Sequence, residues 1–226
     1  MKRLPIALLS MILATAIVAA QSDERKRITE ATEIMSEMIN AGDKAVPKRI
    51  LENAVGIAVF PGLFKAGFVV GGQHGNGIVS VRDEKTGNWS SPAFLSLSGG
   101  SFGAQIGASQ IDLILVVKDR KGFQQLVDNQ FKLGAEAGVA AGPVGREATA
   151  ETDVQMRAKI LSYSRSRGLF AGITLNGSTI HEDRDANEHF YGTPYKTGQI
   201  IFDHLGGSPE PVAGWISALN RYSATR

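Results

Sequence analysis

The chain has 226 residues, 43% of them hydrophobic and 20% charged, which is ordinary globular composition and enough for one sizeable core. Its 24 basic and 22 acidic residues leave a net charge of +2, without the broad basic surface that non-specific nucleic-acid binding needs. Cysteine is absent, so an exported form has no disulfides and stability rests on packing.

Lys2 and Arg3 make a basic start, and Leu4 to Ala20 is apolar apart from Ser10 and Thr15. Small residues at Val18 and Ala20 predict a secretory signal peptide over residues 1–20, cut before Gln21. The other reading of the run is an uncleaved membrane anchor, since its length is near that of a span. Cleavage leaves 22 basic against 22 acidic residues, so attraction to anionic lipid has to come from a local patch. A bacterial lipoprotein is excluded, because no cysteine is there to carry the lipid.

Residues 21–46 read as an N-terminal amphipathic helix. Ser22 caps it, with Asp23 and Glu24 in the first turn. Ile28, Ala31, Met35 and Met38 recur at helical spacing, with Ile34 and Ile39 widening the stripe. The stripe suits core packing or a membrane surface, and the mixed charges opposite it favour the core. Asn40-Ala41-Gly42 ends the helix, and Pro47 opens a short second one through about Asn53.

From Gly56 the pattern turns to β. Gly56–Phe60, Ala66–Gln73, Gly77–Asp83, Ser91–Gly100 and Ile111–Val117 read as strands, the last one buried. Thr86-Gly87-Asn88 reads as a tight turn, and so does the glycine-rich Gly71–Gly77. Lys121–Asn129 looks helical, and Lys132–Arg146 and Tyr163–Ile180 return to strands. Ala148–Ala158 fits a strand or an exposed connection equally, and Gly214–Tyr222 resembles a short C-terminal helix. No linker divides the composition. The expected fold is α+β, a single domain rich in antiparallel strands, with an N-terminal amphipathic helix and a short C-terminal helix.

Several motifs touch on chemistry. Gly99-Gly-Ser101-Phe-Gly103 matches a hydrolase nucleophile elbow, but a β-like pattern follows where the elbow needs a helix. Asp183-Arg-Asp185-Ala-Asn187 opens like a calcium loop yet lacks the glycine and the twelfth-position acid, which points instead to capping by Asp183 and Asp185. Gly71–Gly77 has neither dinucleotide nor P-loop order. No nucleophile, base and orienting group converge, no metal spacing is present and no cofactor is implied; the profile fits binding better than catalysis. Gly142-Pro-Val-Gly145-Arg146 reads as a small anion nest or as a turn with a surface arginine. Arg165 and Arg167, two apart on an extended segment, share a side and suit an anion clamp or ion pairs with nearby carboxylates.

Taken together, Ala54-Val-Gly-Ile-Ala58, Lys65-Ala-Gly-Phe68, Trp89-Ser-Ser-Pro92, Gly103-Ala-Gln-Ile-Gly107, Ala141-Gly-Pro-Val-Gly-Arg146, Tyr163-Ser-Arg-Ser-Arg-Gly-Leu-Phe-Ala-Gly172, and Ala186-Asn187 with Tyr191-Gly192 resemble the SYLF lipid-binding family. The resemblance runs from about Pro47 to Gly192 and makes residues 47–226 a SYLF-like domain. It implies binding of phosphoinositide or other acidic lipid, and actin binding in yeast members. Carried over, it makes Lys48, Arg49, Lys65, Arg146, Arg165 and Arg167 head-group candidates, with the Ile28–Met38 stripe or the Phe64/Phe68 region meeting acyl chains. Unlike the eukaryotic pattern, this sequence has a signal-like start and no SH3 or FYVE stretch. The expectation is a non-enzymatic, exported protein of the periplasm or envelope, with anionic lipid or an envelope protein as partner. A periplasmic setting argues against actin.

Overall fold

The computed structural model describes residues 5–42, 45–68, 70–102, 107–127, 131–133, 138–144, 155, 157–166, 169–173, 175, 177–207 and 209–223. Helix α1 runs unbroken over Pro5–Asn40 and α2 over Lys48–Glu52. Four long strands follow, β1 Gly56–Phe68, β2 Val70–Val81, β3 Ala93–Phe102 and β4 Gly107–Val117. After α3 (Arg120–Val127) come β5 Phe131–Leu133, β6 Val139–Ala141, β7 Ile160–Ser166, β8 Leu169–Gly172 and β9 Ser178–Glu182. Three helices close the chain: α4 Arg184–Tyr191, α5 Thr197–Phe202 and α6 Val212–Ser223.

Among the described residues the strands form one sheet in the order β5-β9-β3-β2-β1-β4-β7-β6, with β8 also on β7. Every pairing is antiparallel except β6 with β7. This is the α+β, antiparallel-rich domain with terminal helices that the sequence pattern predicts.

Alternation along the strands divides the buried side chains into two cores. Ile57, Val59, Ile78, Phe94, Ile114 and Val116 face α1, α4 and α6. Ala58, Phe60, Val79, Leu95, Leu113 and Leu115 face α3 and α5 on the other side. The stripe on α1 belongs to the first core: Ile28, Ala31, Met35 and Met38 are fully buried. Core packing is therefore its role in this fold, and the alternative in which it meets acyl chains is overturned. Two tryptophans fasten the C-terminal helix. Trp215 Nε1 donates to Ser80 Oγ at 2.8 Å, and Trp89 Nε1 donates to Ser223 Oγ at 2.7 Å.

The strands depart from the sequence expectation around the first hairpin: Gly56–Phe60 extends to Phe68 as one strand, and the expected strand Ala66–Gln73 is divided between β1 and β2. Gly71–Gly77 is not a turn but the interior of β2, and the reversal from β1 to β2 lies within Phe68–Val70. The glycines there serve close packing. A Cβ on Gly77 would stand 2.5 Å from the Val59 carbonyl oxygen, and one on Gly75 would stand 2.7 Å from Leu63 Cδ1. Pro61-Gly62 is absorbed as an irregularity inside β1.

Candidate functional site

The Asp183–Asn187 segment is a capped helix start. Asp183 accepts from the Ala186 N–H at 3.2 Å, and the buried Asn187 accepts from the Phe94 N–H at 2.9 Å through Oδ1. Ser101 lies within β3 opposite Gly71, and the next element is strand β4, so the strand–turn–helix of a nucleophile elbow is not formed.

Beyond Phe60 the four long strands change character. Their outer halves read Leu63–Phe68, Val70–Gly77, Leu97–Phe102 and Gly107–Asp112, rich in glycine and serine. Two of the predicted cations sit here, on opposite faces.

Arg165 of β7 lies opposite Asp112 of β4, on the α1 face. Its Nε donates to Asp112 Oδ2 at 2.7 Å, and its Nη1 pairs with Glu37 of α1. Asp112 Oδ1 in turn accepts from the Gly62 N–H at 2.9 Å. The Arg165 side chain is 20% exposed and Asp112 17%, so this ion pair is largely shielded from water. The guanidinium thus ties β7, β4, β1 and α1 together, with both forks of its donor set engaged. Of the two readings of the arginine pair, ion pairing describes Arg165. Arg167 and Arg146 lie outside the described residues. Gly142 of the suggested nest has its N–H committed to the Ser162 carbonyl at 2.9 Å.

Lys65 faces the other way. In register it lies between Ser109 of β4 and Gln73 of β2, and the row continues through Gly99 of β3 to Ser178 of β9. All these positions share one face, because directly paired residues in an antiparallel sheet point together. Gly99 has no side chain, and Gln73 reaches across it to donate through Nε2 to Ser178 Oγ. Gln73 is 5% exposed, and its Oε1 has no hydrogen-bond partner among the described residues. Lys65 itself is half-buried, and burial holds its ammonium below the usual lysine range. No carboxylate among the described residues pairs with it.

The other two predicted residues stand apart. Lys48 and Arg49 belong to α2, at the opposite end of β1. Lys65 lies nine residue steps along β1 from Gly56, roughly 30 Å at about 3.3 Å per step. Lys48 is well exposed and approaches Glu52 at 3.6 Å. The four described candidates therefore do not converge on one pocket.

A cleft of about 370 Å³ opens between α1 and the β1–β2 hairpin, on the Phe64 face. Asp23, Lys26, Glu30, Phe64, His74 and Asn76 line it. Phe64 is 46% exposed, a large apolar side chain left at the rim. Nearby Arg27 pairs with Asp183 at 3.2 Å and stacks over Phe94 at 5.3 Å. Below it Glu24 is buried, and burial raises its carboxyl above the ordinary glutamate range. Its own backbone N–H, Arg27 and His189 oppose that rise, and Asp183 adds to it.

A family model described as "Ysc84: Las17-binding protein actin regulator" matches residues 98–222, more than half of the chain. The chain belongs to the Ysc84, or SYLF, family. The match takes in Gly99, Asp112, Arg165, Ser178 and Asn187, all placed above. A rat relative, SH3 domain-containing YSC84-like protein 1, is 34% identical over 188 residues, covering 83% of this chain and 53% of the relative. The human protein of that name is 33% identical over the same length. LAS seventeen-binding protein 3 of Saccharomyces cerevisiae is 33% identical over 182 residues, covering 79% of this chain and 39% of the relative. The chain thus spans about half or less of the length of these curated relatives. Their names are those of binding and regulatory proteins.

The sequence singled out Lys65 and Arg165 but not the residues that give them meaning. Asp112, Glu37, Gln73, Ser109 and Ser178 come to them from other strands and from α1, and only the sheet register could have brought them forward.

Proposed function

We propose that this Ysc84-family protein is a non-catalytic binder of anionic phospholipid that acts outside the cytoplasm, at a bacterial cell envelope. The observation that carries the reading is Lys65: a half-buried ammonium with no carboxylate partner among the described residues. A desolvated cation is stabilised by an anion brought to it. The leader-like residues 1–20 support export, and the mass of the secreted protein checks cleavage before Gln21.

Vesicle co-sedimentation tests this reading. Phosphatidylcholine vesicles with and without phosphatidylglycerol or cardiolipin are compared at low and high salt. Binding is expected to need the anionic lipid and to weaken as salt screens it. Equal binding to neutral and anionic vesicles at every salt concentration overturns it.

A second reading, a protein-interaction module of the envelope, is favoured by Arg165. That residue spends its charge on Asp112 and Glu37, as a structural cation does. The relatives' names point to protein partners, Las17 and actin, and an exported protein would meet others. Loss of thermal stability on Arg165→Ala, with vesicle binding intact, is the result this reading requires of that residue.

A further inference from the structure

We propose that Lys65, Gln73 and Ser109 form a binding site for a single phosphate group, on the outer sheet face opposite α1. The inference rests on the anionic-ligand reading above and deepens it, by naming the group recognised and the side chains that hold it.

Three observations converge. Lys65 brings a positive charge into a half-buried position where no carboxylate among the described residues neutralises it. Beside it in register is Gln73, 95% buried, with one side-chain polar atom that has no partner among the described residues. A buried polar atom left unpaired is unfavourable, so its persistence beside an unpaired cation points to a ligand that satisfies both. On the other side of Lys65 stands Ser109, exposed, with a hydroxyl able to donate.

The chemistry selects an oxyanion. Gln73 keeps its contact with Ser178 when the amide is turned by 180°, the hydroxyl then donating to Oε1. The free group is then the NH2, a donor directed to the same face as the ammonium. Lysine, glutamine and serine together offer a point charge and two neutral donors, a set suited to phosphate oxygens. The next row outward in register holds Gly107, Gly67, Gly71 and Ser101. The neighbouring row inward holds Leu63, Leu97 and Ile180, which are buried and give the site an apolar floor.

The phosphate can belong to a lipid head group or be free in solution, and the test separates the two. Titration calorimetry is run on the full chain with inorganic phosphate and with glycerol 3-phosphate, and co-sedimentation with phosphatidylglycerol vesicles. Lys65→Met is expected to weaken binding of the soluble phosphates at least about tenfold, as loss of a charge-assisted contact does. Gln73→Leu is expected to act in the same direction. Lys65→Arg, which keeps the charge, is expected to retain part of the binding. Melting curves confirm that each variant is folded, and Lys65→Met stands alone as the test where Gln73→Leu does not fold. A parallel loss on vesicles identifies the ligand as a head group. Loss of soluble phosphate binding with vesicle binding unchanged supports the site but overturns the lipid reading. The site itself is overturned when the wild-type chain binds neither phosphate nor vesicles, or when Lys65→Met binds both as the wild type does.

Discussion

Arg165 of β7 and Lys65 of β1 flank β4 on opposite faces of the sheet, and they have opposite fates. Arg165 meets Asp112 and Glu37 and is largely shielded. Lys65 is half-buried with no carboxylate among the described residues. The α1 face is closed electrostatically by the helix laid over it, and the other face is left with a charge to satisfy. A cation already paired contributes to the fold, whereas an unpaired one is available to a ligand.

The largest expected effect that tests this contrast is Arg165→Ala. Its removal leaves Asp112 and Glu37 facing each other without a cation, at a cost of about 3 kcal/mol, read as a lower denaturant midpoint with an unchanged slope. Phosphate binding should survive it. Loss of binding at unchanged stability would reverse the roles assigned to the two residues. Next comes a pair of glycines on β2. Gly77→Ala forces a Cβ to 2.5 Å from the Val59 carbonyl and is expected to cost about 1–3 kcal/mol. For Gly72→Ala the nearest atom is 3.9 Å away, so stability should stay within about 0.5 kcal/mol of wild type. Equal costs at the two positions would mean that the backbone around Gly72 is packed as tightly as that around Gly77.

A smaller effect, of opposite sign, is expected at Lys65. Burial disfavours its charged form, so the folded state binds this proton less tightly than the unfolded chain does. Stability should therefore rise with pH through the window just below the ordinary lysine value, as the folded ammonium gives up its proton first. Lys65→Met should remove that rise and stabilise the free protein slightly at neutral pH. Bound phosphate should move the ammonium back toward its ordinary value, so added phosphate should flatten the rise in the wild type alone.

How much of this was legible in the sequence follows from which interactions are local. The helical stripe from Ile28 to Met38, the buried strand Ile111–Val117 and the capping aspartate at 183 are written in short-range spacing, and each forms as its pattern implies. Gly71–Gly77 misleads because glycine has two uses that look alike in sequence, reversing a chain and letting strands touch. Here Leu63, Phe60 and Val59 decide for the second. The site was half legible. Lysine and arginine announce themselves, but Arg165 looks the same whether a lipid or Asp112 stands opposite it. The partners that settle the matter, Glu37 at 128 residues' remove and Asp112 at 53, come from the sheet register and from how α1 is laid on it.

The smallest expected effect concerns how firmly α1 is held on its face. Glu24 is buried with Oε2 unpartnered, and His189 Nδ1 of α4 stands 3.9 Å from its Oε1. Burial raises its carboxyl, so over the window above the ordinary glutamate value the folded state keeps a proton that the unfolded chain releases. Stability then falls as pH rises through that window, the reverse of an ordinary ion-paired carboxylate. Glu24→Gln keeps the shape, removes the charge and should flatten this fall, leaving the variant slightly more stable than wild type at neutral pH. Urea midpoints from pH 4 to 8 check it. An unchanged slope in Glu24→Gln would show that Arg27 and His189 compensate the buried charge fully, and that the α1 face is closed by ion pairing along its whole length.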